Sequence, residues 1–355
     1  MLKSTAKLFT NNQVTLPSTS TSLLTKILLI LAITTGLYIA SSLIIPLIFA
    51  LLIAMLLLPI VRFFANKGLN NILSVSIACI VLLLLFSVIA GIFTWQGILI
   101  SEEFSMMKLQ LQKLEQSVFL YVENQFGISK KVQEENLTTL YTKIKDTSIQ
   151  SISSSVAVLS KSTLTFVYIF LFLLERKRLK NFVLKIFKNK NTTLGAISEI
   201  IQTVKDYLYG QLIVTVLLAV VYAIGFFAIG LKFSLMLAIL AAILTFIPYL
   251  GNIIGAVAVI LVGIISGLEF QNLLILIIFL TIVQLIESYI IKPLIIGNEI
   301  SLNIFAVIFS IVAFSLLWGV SGAILALPLT SIIRILCSKS AALKPYEYLL
   351  SDQKD

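Results

Sequence analysis

A carboxylate stands where carboxylates are expensive. Glu287 lies in residues 272–291, a run made almost wholly of Leu, Ile, Val, Phe and Thr, with Gln284 and Tyr289 among its few polar members. At membrane depth such a charge persists only when it faces protein interior or a watery cavity. Gln284 is three residues earlier, so on a helix the two share a face that should turn inward. There Glu287 binds a cation, carries a proton, or holds Gln211 or a nearby backbone group in a purely structural role. Lys292-Pro293 closes the run, and Lys292 and Glu299 are expected at the cytoplasmic interface.

Two other constellations pair small residues with polar ones. Pro248-Tyr-Leu-Gly251 removes a helix donor and then allows a tight turn, and Asn252 adds two donors and an acceptor at the same place. Trp318-Gly319-Val-Ser321-Gly322 repeats the theme. If these two breaks meet near the membrane midplane they form a site for a small polar solute or an ion. The same glycines also serve close helix packing.

Other chemistries are excluded. No Gly-x-x-x-x-Gly-Lys-Ser/Thr run occurs, so no P-loop cradles a nucleotide. Gly319-Val-Ser321-Gly322 superficially suits a membrane serine protease, but the chain has no histidine to build the dyad. No aspartate falls within a predicted span, which removes a paired-aspartate protease. Without histidine or cysteine clusters a metal site is not expected. Cys79 and Cys337 sit beside apolar sequence and read as small core residues, not a disulfide framework. The expectation is no enzyme and no cofactor.

The elements that must position these residues are membrane helices. The 355 residues are 59% hydrophobic, with a mean hydropathy of +1.07, a balance typical of multi-spanning proteins. Apolar runs cover residues 23–40, 43–61, 72–100, 156–174, 208–231, 233–267, 273–291 and 302–336. A crossing takes about 20 residues of helix. Two runs, 233–267 and 302–336, are too long for one crossing and carry the two breaks, so each is expected to be a helical hairpin turning inside the membrane. Non-helical backbone survives at that depth only when buried or lining water. The predicted class is an all-α polytopic membrane protein with about six full spans and two broken hairpins. Residues 27–40 are expected to be a retained first span and not a cleaved signal.

Net charge is +10, but the basic residues collect in loops between spans. They therefore report orientation, not nucleic-acid binding. Residues 175–206 carry eight Lys or Arg against three acids, which places them in the cytoplasm; residues 101–161 carry seven of each and are expected outside. Lys3, Lys7 and Lys26 put the N-terminus inside, and Arg334, Lys339 and Lys344 do the same for the C-terminus. Along this path a span plus broken hairpin occurs twice with opposite topology, the pattern of an inverted repeat. The alternative is two ordinary helix pairs with loops.

The domain reading follows. Residues 1–22 are a polar, disordered cytoplasmic tail and 23–100 the N-terminal helices. Residues 101–155 form a small external helical insertion, and 156–206 a span with a basic cytoplasmic segment. Residues 207–337 are the transport core and 338–355 a cytoplasmic tail. In the insertion Phe104, Met107, Leu111, Leu114, Val118 and Tyr121 step by three and four, a heptad seam. Gly127 breaks it, and Leu137, Leu140 and Ile144 continue it in a second helix. The seam suits packing within the chain or between subunits.

The core motifs resemble those of the AI-2E family of transporters, the autoinducer-2 exporter group. Its Ile-Pro-Tyr-x-Gly-Pro hairpin pattern is matched by Ile247-Pro248-Tyr249-Leu250-Gly251-Asn252. Its Tyr-x-x-Gly-Gln entry is similar to Tyr207-Leu-Tyr-Gly210-Gln211, and its Gln-x-x-Glu span to Gln284-Leu-Ile-Glu287 through Pro293 and Gly297. Its closing Gly-x-x-Gly-Ala, followed by Pro, resembles Gly319-Val-Ser321-Gly322-Ala323 with Pro328. The strong match covers residues 207–334. Asn252 stands where the family usually has Pro, and Asn303-Ile304 where it often has His-Pro. The resemblance implies export of a small polar signal molecule, or exchange of a cation for protons. It also implies a homo-oligomer, pentameric in form, in the bacterial inner membrane. Its expected pathway residues are Gln211, Pro248, Gly251, Asn252, Gln284, Glu287, Gly319, Ser321 and Gly322. The competing class is a membrane scaffold or regulator that transports nothing.

Overall fold

The computed structural model describes residues 23–126, 155–186, 190–297 and 302–352. The expected disordered tail, the second insertion helix at Leu137–Leu140–Ile144, and Glu299 lie outside the described residues.

Helix α1 (Leu23–Ile39) belongs to a unit ending at Ser41, and residues from Ser42 onward form a second compact unit. Helices α2 (Ser41–Asn66), which lies in the second unit from its second residue on, and α3 (Asn71–Phe126) are joined by a turn in which Asn70 Oδ1 accepts from Leu73 N–H at 2.8 Å, an N-cap. The predicted boundary at residue 100 does not interrupt α3, which runs for 56 residues. No Pro or Gly occurs between Gly97 and Gly127, and the polar stretch is rich in Glu, Lys, Gln, Leu and Met, all good helix formers. Span and first insertion helix are therefore one rod.

Ala50, Ala54, Leu57 and Val61 of α2 share one buried apolar cluster with Val75, Ala78 and Leu82 of α3. Ile169 and Leu173 of α4 (Ser155–Leu174) complete this first core.

The second core belongs to the C-terminal helices. After the short basic α5 (Arg176–Ile186), α6 (Lys190–Ile229) runs for 40 residues, about 60 Å, twice the hydrocarbon thickness. Val214, Leu218, Tyr222 and Phe226 form its buried stripe. They pack on α7 (Ser234–Leu244), α8 (Leu250–Ile265) and α9 (Phe270–Ile286). Helices α6 and α9 run antiparallel. A Cβ on Gly225 would lie 2.1 Å from the Phe279 ring, while one on Gly210 would lie 3.0 Å from Ile296. Phe279 also meets Tyr222 and Phe226 edge-on. Five helices are long and apolar enough to cross a membrane among the described residues: α2, Asn71–Leu99 of α3, Leu194–Ile229 of α6, Phe270–Ile295, and α11 (Ile304–Ser338).

Both expected breaks are present. Between α7 and α8 the chain reverses, and Gly255 packs on Ala241. Helix α7 has 11 residues, about 16 Å, too short to cross alone. Helix α11 leaves helical geometry at Trp318 and Gly319 (φ 61°, ψ −141°) and folds back, so that Val307, Ile311 and Phe314 pack with Ala323, Ile324 and Ala326. Its two ends consequently share one side: Asn303 N–H donates to Leu350 O at 3.1 Å, in the terminal helix α12 (Lys344–Leu350).

Candidate functional site

The first tip is held in an unusual backbone. Helix α7 ends as Thr245 Oγ1 donates back to Ala242 O at 2.7 Å. Pro248, Tyr249 and Leu250 then form a γ-turn: Leu250 N–H donates to Pro248 O at 2.7 Å across Tyr249, whose φ is 61° and ψ −57°. This sign of γ-turn is rare and strained. Helix α8 starts at once, and Gly251 lies so close under α7 that a Cβ would fall 1.7 Å from Leu244 O. The second tip has the same construction, since a Cβ on Gly322 would fall 1.8 Å from Phe314 O. At both tips a glycine in the first turn after the break seats one arm on a carbonyl of the other. Ile247 and Leu244 of the first tip pack with Ile311, Phe314 and Ala323 of the second, so the two tips touch.

Two side chains anchor the first tip from opposite sides. Gln211 of α6, 3% exposed, donates through Nε2 to Thr245 O at 3.1 Å and reaches Thr245 Oγ1 at 3.3 Å. Asn252 Nδ2 donates to Glu287 Oε2 at 3.0 Å. Glu287 is fully buried. Its other oxygen, Oε1, is approached by Lys292 Nζ at 2.8 Å, off the direction of a well-aligned hydrogen bond. The contact is therefore chiefly one of charge.

The backbone explains how a residue five positions on reaches back. Residues Glu287–Ile291 form one π turn, closed by Lys292 N–H to Glu287 O, before helix α10 (Lys292–Ile295) resumes. In an α-helix, residues five apart point about 140° away from each other. An i→i+5 turn widens the helix and brings them onto one side; such bulges recur at functional sites. Lys292 thus belongs to the cluster and is not merely an interface marker, a difference that the Lys-Pro sequence alone did not reveal. The ammonium also answers the cost of a buried carboxylate.

The remaining expected residues are distributed around this cluster. Gln284 is half-buried on α9, and none of the described hydrogen bonds engages its side chain. Pro248 is half-buried in the γ-turn. Gly319 is exposed and Ser321 half-buried at the second tip, with Gly322 buried. Glu287 holds Asn252 and Lys292, not Gln211. Two buried oxygens in this region have no partner: Asn252 Oδ1 and Thr215 Oγ1. Thr215 is one helical turn beyond Gln211 on the stripe that continues to Tyr222, which lies within electrostatic reach of Glu287. Thr215 and Thr245 were not singled out from sequence, and Lys292 was singled out only as an interface residue. The four-residue spacing of Gln211 and Thr215 was the available signal. No group of three or more potential metal ligands occurs among the described residues.

The fold and site define a multi-pass helical membrane protein in which two broken helices meet beside a buried, charge-compensated carboxylate. The sequence pattern described as AI-2E family transporter matches residues 27–341, and the chain belongs to that family of transporters, which are not enzymes. It is 31% identical over 131 residues to "Putative transport protein YrrI" of Bacillus subtilis, covering 37% of this chain and 36% of that one. It is 23% identical over 324 residues to YhhT of Escherichia coli, described in the same words, covering 89% of this chain and 90% of YhhT. Over a stretch of equal length it is 25% identical to the AI-2 transport protein TqsA of E. coli, covering 89% and 92%.

Proposed function

We propose that this chain is a secondary transporter of the bacterial cytoplasmic membrane that exports a small polar signal molecule of the autoinducer-2 type, by alternating access at the two tips. The observation that carries the reading is the Asn252–Glu287–Lys292 cluster. A fully buried carboxylate is tied to a broken helix by one amide and balanced by one ammonium. A polar solute entering between the tips finds unpaired acceptors in Asn252 Oδ1 and Thr215 Oγ1. Two helix breaks, a strained turn and two orphan acceptors are costly for a static scaffold and useful to a carrier. The name of TqsA supports the solute class.

The inverted repeat is part of this reading. Antiparallel α6 and α9 each precede a broken helix, and each break is closed by a glycine on a carbonyl. In this arrangement the hairpins re-enter from opposite faces, the termini are cytoplasmic, residues 101–155 are external, and the protein works as a homo-oligomer, pentameric as the family resemblance implies. A second reading, exchange of a cation for protons, is favoured by one observation: Lys292 Nζ occupies the position at Glu287 that a bound cation would take, and its off-axis approach leaves it displaceable.

Flux through purified protein in liposomes tests both, with autoinducer-2, Na⁺ and H⁺ as cargo. Export of autoinducer-2 that falls sharply in Glu287→Gln supports the first reading, and Na⁺-driven proton movement the second. No flux of any cargo, with tips that water-soluble reagents cannot reach, overturns both in favour of a scaffold.

A further inference from the structure

Helix α5 has a chemistry that the transport site does not use. Its sequence, Arg-Lys-Arg-Leu-Lys-Asn-Phe-Val-Leu-Lys-Ile, holds five basic residues and no acid. It begins where apolar α4 ends: Glu175 interrupts the helix, and Arg176 Nη1 donates to Leu173 O at 2.6 Å, capping the last turn of α4. Leu179, Phe182 and Val183 fall on one stripe by their three- and four-residue spacing. Phe182 is 61% exposed. Arg178 and Lys185 flank one side of the stripe and Lys180 the other, with stems long enough to keep their charges in water while the stripe is immersed.

We propose that α5 is a membrane-surface helix that binds an anionic phospholipid. The Leu179–Phe182–Val183 stripe lies among acyl chains, and the headgroup phosphates meet the flanking cations of Arg178 and Lys185 on one side and Lys180 on the other. An apolar stripe between basic rows is complementary to the boundary of an anionic leaflet. A second copy of the same helix is a poor occupant, because it brings the same positive charge.

The test uses the full chain in vesicles of phosphatidylcholine containing a minority of phosphatidylglycerol, with bromine on the acyl chains of one lipid at a time. The added emission of Phe182→Trp over the parent is followed. Brominated phosphatidylglycerol should quench it more strongly than brominated phosphatidylcholine at equal mole fraction. Lys180→Gln and Lys185→Gln should each lower that preference about fivefold, while Lys344→Gln, on the exposed terminal helix, should leave it unchanged. Val183→Trp reports on the same stripe if the first variant folds poorly. Equal quenching by both lipids overturns the proposal, as does absence of quenching. Disulfide-linked dimers formed through Phe182→Cys would overturn it by showing that a second copy covers the stripe.

Discussion

Lys292 compensates Glu287 across a single π turn, with Nζ 2.8 Å from Oε1 of a carboxylate that has no exposed surface. Lys292 itself keeps 28% of its side chain exposed, so it reaches inward from the rim of the bundle. Removing one partner of a buried pair strands the other charge, at about 3–5 kcal/mol. Lys292→Met should therefore lower thermal stability markedly. Glu287→Gln should cost less, because a neutral amide replaces the carboxylate beside Asn252 and Lys292 can turn outward. The Glu287→Gln/Lys292→Met double variant should recover most of the loss. A double variant as unstable as Lys292→Met alone would show that the pair is not the source of the cost.

The tips make opposite predictions for neighbouring glycines. At Gly251 and Gly322 a Cβ meets a backbone carbonyl below 2 Å. Backbone cannot swing aside as a side-chain end does, so Ala at either position should cost about 3 kcal/mol, the upper end for overpacking. Gly319 has open space around it and resists substitution only through its φ of 61°. Gly319→Ala should cost about 1–3 kcal/mol, because φ 61° with ψ −141° is backbone essentially confined to glycine. Melting temperatures of the three variants in one detergent check the ranking.

How much of this was visible in the chain can be judged residue by residue. Both helix breaks were legible, because Pro248-x-x-Gly251 and Gly319-x-x-Gly322 interrupt apolar runs too long for one crossing. The inward face of Glu287 was legible from cost alone. Lys292 was not, because its partnership depends on a π turn, and nothing in Glu-Ser-Tyr-Ile-Ile distinguishes an i→i+5 turn from an i→i+4 turn. The helical character of the first part of the insertion was legible from the three- and four-residue steps of Phe104 to Tyr121. Its continuity with the preceding span was not, because polarity changes near residue 100 while helix propensity continues unbroken.

Gln211 offers a local check on the tip. It is the buried donor to Thr245 O, and Gln211→Leu keeps the bulk while leaving that carbonyl short of a partner. The expected cost is about 1–3 kcal/mol, together with faster hydrogen exchange at residues 245–250 and none at the α2–α3 core. Unchanged exchange at the tip would mean that the γ-turn holds itself without this anchor.

Orientation is a prediction of the loop charges. In a background with Cys79 and Cys337 replaced by Ala, a cysteine at Glu123 should react with an impermeant thiol reagent on intact cells, and one at Lys188 should react only after lysis. The reverse pattern inverts the arrangement and moves the basic α5 to the outer face.

Asn303 separates two roles that one side chain performs. Its Oδ1 accepts from Ala306 N–H at 2.7 Å and caps α11. Its Nδ2 donates to Leu349 O at 2.7 Å and reaches Ser351 O at 3.3 Å, clasping the C-terminal segment to the start of the second broken helix. Asn303→Asp keeps the cap, and a carboxylate suits a helix N-terminus, but it replaces the donor with an acceptor facing two carbonyls. The clasp should open while α11 stays formed, and protease should reach residues 344–352 faster. Asn303→Ala loses both functions and should cost a further 1 kcal/mol or about that through the missing cap. If the clasp limits motion of the second hairpin, Asn303→Asp should change flux without changing the melting temperature of the core. Equal protease resistance in Asn303→Asp and the parent would show that the bridge between Leu302 and Ser351 holds the tail without the side chain.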